Sequence, residues 1–127
     1  MLEFQLVLPC YNESKSLEFL LRRAVTAAKE AGFDSNRFQL VLVENGSRDN
    51  SQEILAQLEK SELGSWMSKV IVTKNLGYGY GVLQGLKSTT APVVGWSHAD
   101  QQCDPKDAFS ALSVLREMQS NRRTYRS

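Results

Sequence analysis

The sequence predicts an α/β fold built on a mostly parallel sheet, with helices on both faces of that sheet. Four short apolar runs alternate along the chain with segments whose apolar residues recur at helical spacing. The apolar runs leave almost no polar face, which is typical of parallel strands that are covered on both sides. Each of the four runs is followed by a cluster of polar and glycine residues, as expected where an open α/β sheet binds a ligand.

The four predicted strands lie at residues 4–8, 38–43, 70–73 and 93–96. Pro9 is expected to end the first strand, because proline cannot donate a hydrogen bond to a neighbouring strand. A helical segment follows each strand, so the chain repeats strand and helix four times and has no closing strand.

Apolar residues spaced three or four apart define one face in each of four predicted helices. The first helix opens at Ser14 or Ser16 and ends at Gly32, since glycine is common just after helix C-termini. The fourth helix opens at Asp104 and Pro105, a cap followed by proline at the first helical position. The predicted apolar faces consist of Leu17, Leu20, Leu21, Ala24, Ala28 and Ala31; Ile54, Leu55 and Leu58; Leu83 and Leu86; and Phe109, Leu112, Leu115 and Met118.

The composition is that of an ordinary globular protein large enough for one domain. The chain has 127 residues, 42% hydrophobic and 23% charged, and its net charge of +1 gives no indication of a nucleic-acid or membrane partner. No signal peptide precedes the first strand, and no segment reaches the roughly 20 apolar residues of a membrane span. We therefore expect a cytoplasmic protein whose cysteines, Cys10 and Cys103, are free thiols at the carboxyl edge of the sheet.

The stretch after the fourth strand contains two oxygen donors, Asp100 and Gln102, close together in the sequence. Carboxylate and amide oxygens suit hard divalent cations, which keep positions open for substrate phosphates. A plainer interpretation stays open, because an isolated aspartate in a loop commonly serves as a cap or turn residue. Asp104 before Pro105 shows that pattern, and Asp49 is a candidate helix cap in the same sense.

Four polar clusters, each placed after a strand, recur in the order found in one large enzyme family. They are Pro9, Tyr11, Asn12 and Glu13; Glu44, Asn45, Gly46, Ser47 and Asp49; Asn75, Gly77, Gly79 and Gly81; and Asp100, Gln102 and Pro105. This pattern resembles the family 2 inverting glycosyltransferases, a group that includes dolichyl-phosphate mannose synthases and bacterial polysaccharide transferases. The resemblance covers residues 4–119 and implies the Rossmann-like GT-A fold, with the third, second, first and fourth strands side by side in that order.

The resemblance implies transfer of a sugar, with inversion, from a UDP- or GDP-sugar to a lipid-phosphate, saccharide or other acceptor. By matching position, the donor-binding residues would be Pro9, Tyr11, Asn12, Glu13, Glu44, Asn45, Ser47, Gly77 and Asp100. Asp100 and Gln102, with His98 as a further candidate, would hold Mg²⁺ or Mn²⁺, which stabilises charge on the leaving diphosphate. The implied partners are a nucleotide-sugar donor and a polyprenyl phosphate acceptor, with no nucleic acid, at the inner face of a membrane.

The chain departs from the family pattern at three points. His98 stands where the first aspartate of an Asp-x-Asp pair is commonest, and Glu44 with Asn45 replaces the commoner Asp-Asp. The chain also covers only the donor half, as residues 1–119, while residues 120–127 form a basic tail or begin the acceptor half. The general base is therefore expected outside this chain, and we expect a fragment or truncated product.

Two alternatives from other functional classes stay open. A nucleotide-binding module without catalysis would also fit a chain that lacks the acceptor half. A dinucleotide-binding domain is disfavoured, because Gly77, Gly79 and Gly81 lack the Gly-x-Gly-x-x-Gly spacing and follow the third strand, not the first. Tyr78 and Tyr80 are expected to be surface or interface aromatics, which leaves a homo-oligomer open.

Overall fold

Strands and helices alternate along the whole chain, as the sequence predicts. The computed structural model describes residues 1–97 and 105–126, with side chains described as far as residue 117. The elements are β1 (Phe4–Cys10), α1 (Leu17–Glu30), β2 (Phe38–Asn45), α2 (Ser51–Lys60), a short 3₁₀ helix (Gly64–Trp66), β3 (Met67–Val72), α3 (Tyr78–Lys87), β4 (Val93–Trp96) and α4 (Pro105–Arg126).

The four described strands form one parallel sheet in the order β3-β2-β1-β4. Phe4 lies beside both Phe38 of β2 and Val93 of β4, and Cys10 at the end of β1 lies beside Glu44. The predicted fold class and the predicted strand order are both confirmed. Because all strands are parallel, the segments that follow β1, β2 and β3 meet at one edge of the sheet.

The side chains of the central strands alternate between two apolar layers, one on each face of the sheet. On one face, the residues of β1 and β2 pack against α1, α2 and α4. Phe109 of α4 lies at the centre of that layer, with its ring 4.9 Å from Phe38 and 5.4 Å from Phe4. On the other face, Val7 and Val43 pack against α3, which comes so close that a Cβ on Gly85 would lie 2.4 Å from Val7 Cγ1.

Gln5 interrupts the apolar run of β1 for a structural reason. Its side chain is buried, and its amide nitrogen donates to Gln39 Oε1 at 2.9 Å. Its Oε1 accepts the backbone N–H groups of Thr90 and Ala91 at 2.8 and 2.9 Å. The glutamine therefore fastens the connection between α3 and β4 to the centre of the sheet.

The prediction that Pro9 ends the first strand is wrong, because β1 continues to Cys10 and Pro9 pairs with Val43. The Val7 carbonyl accepts the Ser97 N–H at 3.0 Å, so the backbone polar groups of Val7 face the side of β4. Because alternate residues of a strand are oriented alike, the backbone groups of Pro9 face the same side. The paired part of β4 stops opposite Val7, and the missing N–H of Pro9 therefore faces no strand.

Other boundaries shift by a few residues. β2 extends to Asn45, and β3 begins at Met67 and ends at Val72, before the predicted Thr73. The first helix ends at Glu30, and Ala31 is an exposed residue outside it, directly before Gly32, whose φ is 85°. Glycine adopts that left-handed conformation without steric cost, so its predicted role at the helix end is confirmed.

Two predicted core leucines lie at the surface instead. Leu83 of α3 is 47% exposed and Leu115 of α4 is 38% exposed, because each lies at the margin of a helix face that the sheet covers only in part. The α4 backbone stays helical to Arg126, beyond the last apolar position of the pattern, and its residues after Pro105 include no glycine or proline. Met118 lies outside the residues whose side chains are described.

Candidate functional site

Three connecting segments meet at the carboxyl edge of the sheet. We call them the β1 loop (residues 11–16), the β2 loop (residues 46–50) and the β3 turn (residues 73–77), and each leads from a strand into a helix. Because β1 and β2 are neighbours and β3 lies next to β2, the three segments are adjacent in space. Most of the polar clusters singled out in the sequence belong to these segments or to the strand ends below them.

Hydrogen bonds join the β1 loop to the β2 loop in both directions. The Asn12 N–H donates to Ser47 Oγ at 2.9 Å, and the Arg48 N–H donates to Asn12 Oδ1, also at 2.9 Å. A third bond runs from the Ser14 N–H to Asp49 Oδ2 at 3.3 Å. Asn12 has a φ of 52°, a left-handed backbone conformation that asparagine tolerates better than most residues.

Asp49 was predicted to cap a helix, but the N-cap residue of α2 is Asn50, and Asp49 lies one position before it. The Asp49 side chain instead bonds to the first residue of the helix. Its Oδ1 accepts the Ser51 N–H at 3.0 Å and the Ser51 hydroxyl. Burial acts to raise the pKa of this carboxyl, but the hydrogen bonds from Ser51 and Ser14 outweigh it and hold the pKa below its ordinary value. Asp49 is therefore ionised at neutral pH and accepts bonds from both α2 and the β1 loop.

Glu44 is fully buried at the end of β2. Its Oε1 accepts the Ser47 N–H at 2.8 Å, and its Oε2 accepts the Gln52 side-chain amide at 3.3 Å. A buried carboxylate needs such partners, because an unpaired charge in an apolar environment is very costly. Glu44 thus connects β2, the β2 loop and α2 at the base of the candidate site.

Cys10 is a free thiol beside Glu44, and it is buried. Burial, and after it the negative charges of Glu13 and Glu44, raise the pKa of this thiol well above its ordinary value. The Sγ lies 3.4 Å from the Leu8 carbonyl oxygen, to which it donates. Cys10 is thus a free thiol at the carboxyl end of β1, as predicted, but it is enclosed by protein and does not border an open crevice. Cys103 lies outside the described residues.

Asn45 joins the end of β2 to the β3 turn. Its amide nitrogen donates to the Gly77 carbonyl at 3.2 Å, and a Cβ on Gly81 would lie 2.8 Å from that nitrogen. Gly46, with a φ of 69°, lies so close to the turn that a Cβ there would be 2.5 Å from the Asn75 nitrogen. Among the described buried side-chain polar atoms, Asn45 Oδ1 is the one without a hydrogen-bond partner.

The remaining predicted donor residues lie around this cluster. Tyr11 is 41% exposed, directly after β1, and Glu13 is half-buried with its carbonyl accepting the N–H groups of Ser16 and Leu17 at the start of α1. Gly77 has a φ of 108° and precedes the first residue of α3. The structure thus brings eight predicted donor residues to one edge: Pro9, Tyr11, Asn12, Glu13, Glu44, Asn45, Ser47 and Gly77.

The predicted metal ligands Asp100, Gln102 and His98 lie outside the described residues. In residues 1–97 and 105–126, no group of three or more His, Cys, Asp or Glu side chains could hold a metal ion. The described part of β4 ends at Trp96 beside β1, so the three candidates follow in sequence a strand that ends at the site edge. Their imidazole, carboxylate and amide groups are chemically suited to Mg²⁺ or Mn²⁺.

The sequence did not indicate that Asn12 bonds to the β2 loop, that Asp49 bonds to the β1 loop, or that Asn45 lies against Gly81. Gly46 and Gly81 carried a partial signal, since a glycine within a polar cluster commonly marks a close backbone approach. The contact partner of each glycine, however, can be identified only from the structure.

The sequence and the fold are similar to those of known proteins. A family model described as glycosyl transferase family 2 matches residues 5–121. An undecaprenyl-phosphate 4-deoxy-4-formamido-L-arabinose transferase of Pseudomonas savastanoi is 35% identical in an alignment that covers 92% of this chain and 36% of that protein. The transferase of the same name from Pseudomonas aeruginosa strain PAO1 is 38% identical over 101 residues, which are 80% of this chain and 29% of that protein.

Solved structures with the same architecture include two proteins bound to nucleotide sugars. Residues 1–349 of Staphylococcus aureus TarS, in complex with UDP-GlcNAc, superpose with a TM-score of 0.70 at 20% identity over 91% of this chain and 32% of that one. The mannosyltransferase PcManGT of Pyrobaculum calidifontis, with GDP-Man and Mn²⁺, gives a TM-score of 0.63 at 18% identity over 77% of this chain and 27% of that one. The present chain spans about a third of the length of these curated relatives.

Proposed function

The chain belongs to glycosyl transferase family 2, and from that premise we propose that it binds the nucleotide-sugar donor of a glycosyltransferase that transfers the sugar with inversion. The observation that carries the proposal is the meeting of the β1 loop, the β2 loop and the β3 turn at one edge of a parallel sheet. Ligands of open α/β sheets bind at that edge.

Tyr11 and Glu13 are the residues that we propose to contact the nucleoside. An exposed aromatic ring next to a rigid strand end offers a face on which a uracil or guanine base can stack. A carboxylate such as that of Glu13 accepts hydrogen bonds from hydroxyl groups, which suits a ribose. Pro9 and Gly77 would border the same position, while Glu44 and Asn45 would support it from below.

For the diphosphate we propose a divalent cation, Mg²⁺ or Mn²⁺, held by Asp100 and Gln102 and, as a further candidate, His98. When bound, such a cation stabilises the negative charge that collects on a nucleoside diphosphate leaving group. Asp100 supplies the carboxylate, and Gln102 supplies an amide oxygen from the same segment. Both residues follow β4 in the sequence, and β4 lies beside β1, whose loop carries the proposed nucleoside contacts.

The acceptor that we propose is a polyprenyl phosphate. Support comes from the relatives that are 35–38% identical, whose names specify undecaprenyl phosphate. In the part of the chain that the structure describes, no helix has the length and apolarity needed to cross a membrane. Binding of donor without transfer is a second candidate function for these residues, because the chain spans about a third of the relatives.

Calorimetric titration of the protein with UDP and with GDP, each with and without Mn²⁺, tests the proposal. We expect one nucleotide to bind in the presence of the metal, and Tyr11→Ala to weaken that binding by about tenfold, since base stacking contributes roughly 1–3 kcal/mol. Tyr11→Phe is the matched control, because it keeps the ring and should bind within about twofold of the natural protein. The donor site would be refuted if neither UDP nor GDP bound, or if Tyr11→Ala bound the nucleotide as tightly as the natural protein.

A further inference from the structure

We propose that Asn12, Ser47 and Asp49 are positioning residues, which act on the donor through Tyr11 and Glu13 and not by touching it. The three side chains, with the backbone groups that they bind, form a latch between the β1 loop and the β2 loop. The inference rests on the proposed function for its ligand, but the latch itself is a feature of the folded chain. It assigns Asn12 and Ser47 a role different from the direct donor contact that the family resemblance implies.

The first support is that four side-chain oxygens of the latch already accept hydrogen bonds from the protein. The Asn12 backbone N–H bonds to Ser47 Oγ, and Asn12 Oδ1 accepts the Arg48 N–H, both at 2.9 Å. Asp49 Oδ2 accepts the Ser14 N–H, while its other oxygen accepts both the N–H and the hydroxyl of Ser51. A donor that replaced any of these partners that joins the two loops would break that bond between them.

The second support is that the latch bonds attach to the backbone next to Tyr11 and Glu13. Glu13 lies between Asn12 and Ser14, whose N–H groups both bond to side chains of the β2 loop. Tyr11 lies between Asn12 and Cys10, the last residue of β1. The residues on both sides of Tyr11 and of Glu13 are therefore fixed, by the sheet or by the latch. A ligand-binding side chain is positioned most accurately when the backbone that carries it is fixed in this way.

The backbone conformation of Asn12 makes the proposal testable with small changes. At a φ of 52°, glycine and aspartate both fit as well as asparagine does, whereas most other residues would be strained. Asn12→Gly keeps the backbone fit and removes the oxygen that accepts from Arg48. Asn12→Asp keeps both the fit and an acceptor oxygen, so it is the conservative variant that should restore function.

The experiment measures two properties in each of three proteins, which are the natural protein and the Asn12→Gly and Asn12→Asp variants. The first is amide hydrogen exchange at Arg48 and Asn12 by NMR, and the second is affinity for UDP or GDP with Mn²⁺. We expect Asn12→Gly to speed exchange at Arg48 and to weaken nucleotide binding, each by about tenfold. Asn12→Asp should stay within about twofold of the natural protein in both, as expected when the latch bond is kept.

A double-mutant cycle with Tyr11→Ala separates positioning from direct contact. If Asn12 acts through Tyr11, Asn12→Gly should cost little further affinity once the tyrosine ring is gone, because the two effects are then coupled. Full additivity of the two losses would overturn the proposal, because additive effects indicate that Asn12 contacts the donor independently. Faster exchange at Arg48 with unchanged affinity would also overturn it, since the latch would then not position the site. Failure of the natural protein to bind either nucleotide would instead overturn the proposed function, together with the ligand-directed part of this inference.

Discussion

At the residue scale, the glycines of the third polar cluster have unequal roles. Gly81 faces the Asn45 amide, and a Cβ there would lie 2.8 Å from its nitrogen. Gly79, two residues earlier in the same helix, has no atom within 4 Å of the corresponding position. One of the two positions therefore requires glycine for close packing, and the other does not.

We therefore predict opposite effects for two chemically identical substitutions. Gly81→Ala should displace the Asn45 amide from the Gly77 carbonyl and lower the free energy of unfolding by about 1–3 kcal/mol, as overpacking does. Gly79→Ala, the matched control, should leave stability unchanged or raise it by up to about 1 kcal/mol, because alanine favours helix. Urea unfolding of both variants is the measurement, and equal losses would show that Gly81 has no special packing role.

A second residue-scale prediction concerns the metal. Asp100→Ala should weaken Mn²⁺-dependent nucleotide binding by at least roughly tenfold, or about 1.4 kcal/mol, because the proposed cation loses its one full carboxylate ligand in this segment. Asp104→Ala is the control, since Asp104 is a candidate cap of α4 and should affect stability more than metal dependence. Calorimetry with and without Mn²⁺ distinguishes them. Unchanged affinity in Asp100→Ala would favour the plainer interpretation of Asp100 as a turn residue.

At the scale of elements, the buried side-chain amide of Gln5 joins β1 to β2 and to the α3–β4 connection. Gln5 Oε1 accepts two N–H groups of the α3–β4 connection, and Gln5 itself donates to Gln39 of β2. We predict that Gln5→Leu lowers the free energy of unfolding by about 1–3 kcal/mol, because the Thr90 and Ala91 amides lose their acceptor. Gln39→Leu removes one bond only and should cost less. Thermal or urea unfolding tests this, and a larger loss in Gln39→Leu would contradict it.

Element type and order could be predicted because they depend on local apolar patterns. The positions of the four strands and their parallel direction followed from buried runs separated by helical segments, whereas the order of the strands in the sheet was implied by the family resemblance. The extent of β1 could not be predicted, because a strand tolerates Pro9 only where its neighbour β4 has already ended, and sequence does not give the length of that neighbour. Likewise, helical periodicity marks Leu83 and Leu115 as apolar but does not give the width of the face that the sheet covers.

The candidate site was predictable in its residue types and less so in its contacts. The clusters containing Tyr11, Glu44 and Gly77 were placed at one edge correctly, since parallel strands bring their carboxyl ends together. The latch between Asn12 and Ser47 joins residues far apart in the chain, and no local pattern specifies such a pair. The burial of Cys10 was also beyond prediction, because it depends on the side chains packed around the end of β1.

At the scale of the whole molecule, we expect donor binding to be separable from sugar transfer. The described residues provide a sheet edge at which three loops meet, and the resemblance places the general base and the acceptor side outside this chain. A general base must come within hydrogen-bond reach of the acceptor proton for transfer to occur. The chain spans about a third of its curated relatives, so binding without turnover is the behaviour that we expect of these residues alone.

We predict that the purified 127-residue chain binds a nucleotide with metal but forms no glycolipid when given UDP- or GDP-sugars and a polyprenyl phosphate. Slow hydrolysis of the donor is compatible with this expectation, because water can attack a bound sugar without a positioned acceptor. Mass spectrometry of the lipid fraction and chromatography of released nucleotide distinguish the two products. A full-length relative that carries the same donor-site residues is the positive control. Robust glycolipid formation by the chain alone would show that the catalytic base lies within it, and Glu13, which lies at the site edge, would then be the first carboxylate to test by substitution.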